Sequence, residues 1–397
     1  MAPIQRMAHN VWLFLIIAVL LLSLPMYAAS EMPEPEGIFE KLLQSSRTVD
    51  FEGRLTLFAQ IPGGNPMSEA QVIRKAPDKQ RIEFVWPSEI SGMGMVINGE
   101  ERWSFRGDRG RGGRPFLAPP PNRMMDDFPL KNIQRLLRNY DIRVLDGGNI
   151  ADRSTYLLEI DPKVVGKPSR KIWVDKETSI ILKVENYGSQ KRLMGFYAYS
   201  RINYKPEIDE TVFQRQHKQD EERTQRIERG RKELWNDSQG KPNLAKIRKT
   251  AQLGVIIPDQ LPAGFALQSI QALRFGERRN VHLRYTDGLA VISVFQSLSK
   301  DGGRSGGREG RPPGMGRPQR SGRPSGADRP QRSDRSSGSD ANFEKVIANG
   351  VEFEVMTKGP TIILRWSFNT VFFTLMGELD QKQTIEMASS FIDKGDG

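Results

Sequence analysis

The chain has 397 residues, no cysteine and three histidines, and its 59 Lys plus Arg against 48 Asp plus Glu give a formal charge of +11. Without cysteine there is no disulfide, thiolate metal ligand, thiol nucleophile or lipid-modified cysteine. The length suits two domains of roughly 150 residues each plus linkers, and the positive charge favours anionic partners through its long-range field without marking a site.

Arg6 precedes an apolar run from Val11 to Leu24, followed by the small residues Ala28-Ala29-Ser30. This run is shorter than the roughly 20 residues a membrane span needs, so residues 1–30 read as a secretory signal cleaved near Ser30. Ile38, Phe39, Leu42 and Leu43 stand at helical spacing and predict a short amphipathic helix over Ile38 to Ser45. Strands then follow in series. Phe51, Gly53, Leu55 and Leu57 alternate with Glu52, Arg54 and Thr56; Ile82, Phe84 and Trp86 continue the pattern up to Pro87; Met95 to Ile97 and Arg102 to Phe105 flank a turn at Asn98-Gly99. Leu130, Ile133, Leu136, Leu137 and Tyr140 form one apolar stripe and predict a second helix. Further strands are expected at Tyr156 to Ile160, Lys171 to Val174, Ile180 to Val184 and Tyr197 to Tyr204, with Asp175 to Thr178 as a turn. So many short sequential strands imply a curved antiparallel sheet with helices on its inner face, in an α+β fold.

From His217 to Arg248 charge dominates, and residues 215–250 read as a linker between domains at 31–214 and 251–397. Val281-His-Leu-Arg-Tyr-Thr-Asp-Gly-Leu-Ala-Val-Ile-Ser-Val-Phe295 is the clearest element in the chain. Val281, Leu283 and Tyr285 alternate with His282 and Arg284, Asp287-Gly288 makes a turn, and Leu289, Val291, Ser293 and Phe295 define one face of a second strand. Strands are also expected near Phe265 to Ile270, Val351 to Met356, Thr361 to Ser367 and Val371 to Met376. Asp380 with Gln383 forms a capping box ahead of a terminal helix bearing Ile385, Met387, Ala388 and Phe391. Residues 301–340 interrupt this second domain with Gly, Arg, Ser and Pro and no aromatic, a composition that cannot bury enough apolar surface to order itself.

The residue inventory is poor in catalytic chemistry. Of the three histidines, His9 lies in the signal, His217 in the linker and His282 on the polar face of a strand, so an acid/base or zinc centre has almost no material. Neither an enzyme nor a cofactor or metal is expected. Gly107 to Gly113 lacks the Gly-Lys-Ser/Thr ending of a phosphate-binding loop. The inserted segment carries nine Arg against five acidic residues, like the Arg-Gly tracts of RNA binders, but has no stacking aromatics, so no nucleic acid partner is expected. The apolar residues Leu55, Leu57, Phe84, Trp86, Met93, Met95, Trp103, Phe105, Tyr156 and Leu158 are expected to face inward or to line a rim of the curved sheet. Most such residues are core. Ser91-Gly-Met-Gly-Met95 differs, because flexible methionines beside glycines suit an adaptable apolar surface.

Leu261-Pro-Ala-Gly-Phe265, Tyr285-Thr-Asp-Gly-Leu-Ala290, Ser293-Val-Phe295 and Gly377-Glu-Leu-Asp380 ahead of the final helix resemble the C-terminal domain of the RseB and MucB regulators of sigma-E pathways. The first half resembles the same family through its strand order, Phe51-Glu-Gly53 and the strand at Lys171 to Val174. That resemblance implies a half-open antiparallel barrel like that of the lipoprotein carriers LolA and LolB, followed by a smaller antiparallel β domain with a terminal helix. It further implies a periplasmic, non-catalytic protein that binds the periplasmic domain of an RseA-like anti-sigma factor. Lipid, lipopolysaccharide or an acyl chain would bind the first domain, and peripheral membrane contact fits the same picture. Arg284, Tyr285 and Phe295 are then the candidate partner-binding residues. A lipid or lipoprotein carrier and a ligand-free envelope scaffold are the alternative readings.

Overall fold

Antiparallel pairing between strands adjacent in sequence builds two sheets. The structure, a computed structural model, describes residues 32–59, 66–105, 133–215, 254–258, 260–275, 278–298, 343–358 and 361–392. The residues read as a signal (1–30), Leu130, those read as a linker from 216 to 250 and the 301–340 stretch lie outside the described residues. Both sheets belong to one unit, Pro35–Gly397.

The first sheet has ten strands among the described residues, in the order β5-β4-β3-β2-β1-β10-β9-β8-β7-β6. They are β1 (Phe51–Ala59), β2 (Met67–Lys75), β3 (Lys79–Trp86), β4 (Gly94–Asn98), β5 (Glu101–Phe105), β6 (Tyr140–Ile150), β7 (Arg153–Pro162), β8 (Ser169–Asp175), β9 (Ile181–Tyr187) and β10 (Leu193–Asn203). Two meanders thus meet at the β1–β10 pair, leaving β5 and β6 as edges. Helix α1 (Pro35–Thr48) lays Ile38, Phe39 and Leu42 on one face of this sheet, in a single core with Phe51, Leu55, Val72, Ile82, Tyr140, Leu158, Ile172, Val184 and Tyr197. That core draws on eight of the ten strands. A single core shared by strands so far apart in the sheet order fits the curled sheet that the sequence pattern implied.

Among the described residues helix α2 runs Ile133–Asn139, and Tyr140 opens β6 instead of closing the helix. The reason lies in the next hairpin. Lys163 donates its backbone N–H to Asn139 O at 3.0 Å and its ammonium to Leu137 O at 3.1 Å, occupying carbonyls at the helix end, while Tyr140 pairs with Pro162.

The second sheet has seven described strands in the order β11-β12-β13-β17-β16-β15-β14. These are β11 (Ala266–Phe275), β12 (Arg278–Thr286), β13 (Val291–Leu298), β14 (Glu344–Ala348), β15 (Val351–Lys358), β16 (Thr361–Phe368) and β17 (Val371–Gly377). Val281, Leu283, Tyr285, Ile292, Val294, Phe353, Leu364, Trp366 and Phe373 share one buried face. Helix α3 (Gln381–Ser389) and the residues after it cover that face with Met387, Ala388 and Phe391, and Trp366 stacks on Phe373 at 4.7 Å between centroids. The segment at 254–258 is fixed to this sheet by buried Gln296, which accepts from Ile256 N–H at 3.0 Å and donates to Ile256 O at 2.6 Å.

Candidate functional site

Strand register sorts the apolar residues of the first sheet onto two faces. Leu55, Leu57, Phe84 and Leu158 are buried in the core under α1, and the half-buried Met93 and Tyr156 pack at its margin. Half-buried Met95 pairs with Ile82 of that core, so it shares the inner face. Trp103 does not. It pairs with Val96, which pairs with Arg81, and these stand on the opposite face. There Trp103 and Val96 form a separate cluster with Phe213, against which Phe105 packs. The chain leaving β10 thus covers this outer patch: Arg81 donates to Val212 O at 3.1 Å, and Lys75 and Lys79 both bind Glu210.

Trp86 also lies outward. Glu69 pairs with Trp86 and Ala70 with Phe84, so Val85 is an extra residue in the ladder and the alternation begun at Ile82 shifts by one. Trp86 then stands in the row of Glu69, Thr56 and Ala198, 45% exposed. Seven of the ten residues singled out from sequence therefore share the inner face, and Trp86, Trp103 and Phe105 do not.

On the second sheet the three candidate contact residues divide similarly. Tyr285 is fully buried with Val281 and Leu283, and burial pushes its hydroxyl pKa up. It is a core residue, because strand alternation turns it away from Arg284. Arg284 and Phe295 face outward. Arg284 donates to Gln268 at 2.7 Å, and the Phe295 ring lies parallel to that of His282 at 4.4 Å. Across the sheet the row continues from His282 and Phe295 through Thr374 and Arg365 to Glu354.

The most concentrated polar geometry lies where the two sheets meet, at the turn from Thr286 to Ala290. Asp287 Oδ1 accepts from the N–H groups of Leu289 at 3.0 Å and Ala290 at 2.8 Å, which shapes the turn from within. Its other oxygen, Oδ2, accepts from Lys167 Nζ and Tyr140 Oη, both at 2.9 Å. The Lys167 and Asp287 side chains are 1% and 0% exposed. Lys167 also donates to Ala263 O at 2.5 Å and lies 5.0 Å from the Phe265 ring centroid. Burial foremost, then the Asp287 carboxylate, pushes the Tyr140 pKa up, so its hydroxyl stays a donor. Asn139 donates to Asp287 O at 2.7 Å and Gly264 O at 3.2 Å, and Arg135 donates to Thr286 O at 3.3 Å. Helix α3 adds two more ties: Asp380 N–H reaches Gly166 O at 3.2 Å and Gln383 Nε2 reaches Val165 O at 2.9 Å. The capping box thus keeps only its first half. Asp380 accepts from Gln383 N–H at 2.8 Å, while the Gln383 amide is spent on the other sheet.

Among the described residues no group of three or more His, Cys, Asp or Glu is placed to hold a metal ion, and no helix is long and apolar enough to cross a membrane.

Residues 117–217 match the model of the MucB/RseB N-terminal domain, and residues 332–391 match a domain of unknown function, DUF4367. The solved structure of MucB in complex with MucA(peri) is 15% identical, covering 89% of this chain and 97% of that chain at a TM-score of 0.52. The MucA/MucB complex of Pseudomonas aeruginosa is 15% identical, with 89% and 96% covered at 0.51. The chain thus carries a segment, 117–217, that matches the MucB/RseB N-terminal domain, within a fold like that of MucB. No curated protein matches its sequence. The segments Leu261 to Phe265 and Tyr285 to Ala290, which carry the sequence resemblance, fold onto one spot, the buried junction, where Ala263, Gly264, Phe265, Thr286 and Asp287 all take part. Their counterparts Arg135, Asn139, Tyr140 and Lys167 were not singled out as site residues, for each looks unremarkable in its own segment and acquires a role only when the two sheets meet.

Proposed function

We propose that this protein is a periplasmic regulator that binds the periplasmic segment of a membrane-anchored anti-sigma factor, and that the inner face of its first sheet accepts an acyl chain. The observation that carries the reading is the family match over 117–217 together with a fold shared, over most of both chains, with MucB bound to MucA(peri). Supporting the acyl-chain part, Met93, Met95 and Tyr156 are half-buried beside an apolar core, where adaptable side chains meet solvent. Arg284 and Phe295 are the outward residues offered for contact with the protein partner. Binding of a peptide and an amphiphile in mutual opposition makes a stress sensor without catalysis. The coupling is reciprocal: the factor by which lipid weakens partner binding is the factor by which partner weakens lipid binding.

Isothermal titration of the chain lacking residues 1–30 with the periplasmic segment of its own organism's anti-sigma factor tests the reading, with and without lipopolysaccharide. Saturable binding that lipopolysaccharide weakens is expected. Absence of binding, together with transfer of lipoproteins between membranes by the same preparation, would replace it with carriage.

A further inference from the structure

Leu289 belongs by sequence to the second sheet's hairpin, yet it is 8% exposed within the first sheet's core, in the cluster that holds Leu136, Tyr140 and the residues under α1. The backbone beside it is equally close to that core: a Cβ on Gly288 would stand 2.6 Å from Leu136 N and 2.8 Å from Leu136 Cα. From this we propose that the turn is a built-in plug. Leu289 occupies the seat that the end of a bound acyl chain would take, and a ligand that fills the inner face expels the turn and releases the second sheet from the first. The inference rests on the acyl-binding reading above and names how that site is coupled to the rest of the molecule.

Two features of the junction suit it to this use. The first is the match of size, since burying one leucine side chain is worth about as much as burying two to four methylenes. A chain extending by that length into the core can therefore exchange for Leu289 at little net change. The second is the nature of the bonds that hold the turn. Lys167, Tyr140, Asn139 and Arg135 bind it through polar groups, and a buried ion pair recovers the solvation of both charges when it opens. A junction of this kind fixes one geometry when closed but releases readily to water, which an apolar interface of the same size does not. The ties from α3 to Val165 and Gly166 are hydrogen bonds as well.

The chain has no cysteine, so Arg143→Cys and Lys345→Cys, both at exposed positions on different sheets, give a clean pair of spin labels. Binding of dansyl-labelled undecanoic acid is measured on the wild type, Leu289→Ala and Lys167→Met, and the label separation is measured with and without saturating probe. Leu289→Ala empties the seat and is expected to tighten probe binding about tenfold, the equivalent of part of one buried leucine. Lys167→Met leaves the core intact but loosens the turn, and is expected to tighten it about threefold or more. Saturating probe is expected to broaden the label separation in the wild type. Equal probe affinity in all three proteins, or an unchanged separation at saturation, overturns the plug while leaving acyl binding standing. No probe binding by any of the three overturns both.

Discussion

Replacing Lys167 by Met removes one charge from a pair whose side chains are 1% and 0% exposed. Asp287 keeps the Tyr140 hydroxyl and two backbone N–H groups, so it is solvated in part by the protein. Asp287→Asn instead leaves the Lys167 ammonium buried against Ala263 O and the Phe265 face. Breaking a buried pair from one side costs about 3–5 kcal/mol, whereas neutralising both members is close to neutral. The loss is capped by whatever docking of the turn contributes, because a turn left with an unpaired charge can swing out to water. Lys167→Met and Asp287→Asn are therefore each expected to lose up to about 3–5 kcal/mol in urea unfolding followed by circular dichroism. The double variant is expected to lose no more than either single one. If the two losses add, the pair is not coupled and the junction is not held as one ion-paired unit.

Gly288→Ala should destabilise by about 1–3 kcal/mol from its positive φ of 109° alone and by more from the contact with Leu136, whereas Gly350→Ala, at φ 73° with open space around it, should show the strain only; the difference in urea midpoints isolates the junction. Asp175 is one source of acid sensitivity in the first sheet, beside Asp146, Glu159 and Glu185. Burial pushes its pKa up, but hydrogen bonds from Arg153, the N–H groups of Thr178 and Glu177, and the Tyr204 hydroxyl outweigh it and leave the carboxylate below its ordinary 3.8. A depressed folded-state value contributes stability above 3.8 that is lost as pH falls through it, so the wild type should lose stability below that pH more steeply than Asp175→Asn does. The register also predicts that Trp86→Ala, on the outer face, leaves dansyl-fatty-acid binding within about twofold, while Met95→Asp on the inner face weakens it by at least tenfold, since a carboxylate there must be desolvated.

Much of the fold was legible because local pattern and tertiary packing agree. Helix α1, the Asn98-Gly99 hairpin, the strands from β7 to β10 and the capping Asp380 all carry their own signals. Other elements did not announce themselves. The β6–β7 hairpin turns at Ala151 and Asp152, both at positive φ without a glycine, after an Asp146-Gly-Gly-Asn149 stretch that reads as a loop. Strand β14 is marked in the sequence only by its turn, for Asn349-Gly350 suits a two-residue hairpin and both residues have positive φ. The sorting of the apolar residues was beyond local pattern altogether. Trp86 changes face because Val85 has no partner in β2, and Trp103 faces outward because its hairpin pairs it with Val96. Each depends on the register of a neighbouring strand, and a one-residue shift reverses every side chain beyond it.

The Asp-Gly turn shows the same limit from the opposite side. As local chemistry it is an ordinary hairpin signal, and hairpin turns normally lie in water, where Asp tolerates the conformation and solvates itself. Here the turn is buried, so each of its polar groups needs a protein partner. Asp287 meets that need twice over, shaping its own loop with one oxygen and binding Lys167 and Tyr140 with the other. Gly288 lets the loop approach Leu136 closely, and Leu289 supplies an apolar contact with the first sheet's core. The second sheet's core of Val281, Leu283, Tyr285, Ile292 and Val294 takes only Ala290 from the turn, so the placing of Asp287, Gly288 and Leu289 answers to the first sheet. The Thr-Asp-Gly-Leu residues therefore encode how one sheet is held against the other. That is why they stand out in a chain where the strands themselves are interchangeable runs of alternating residues.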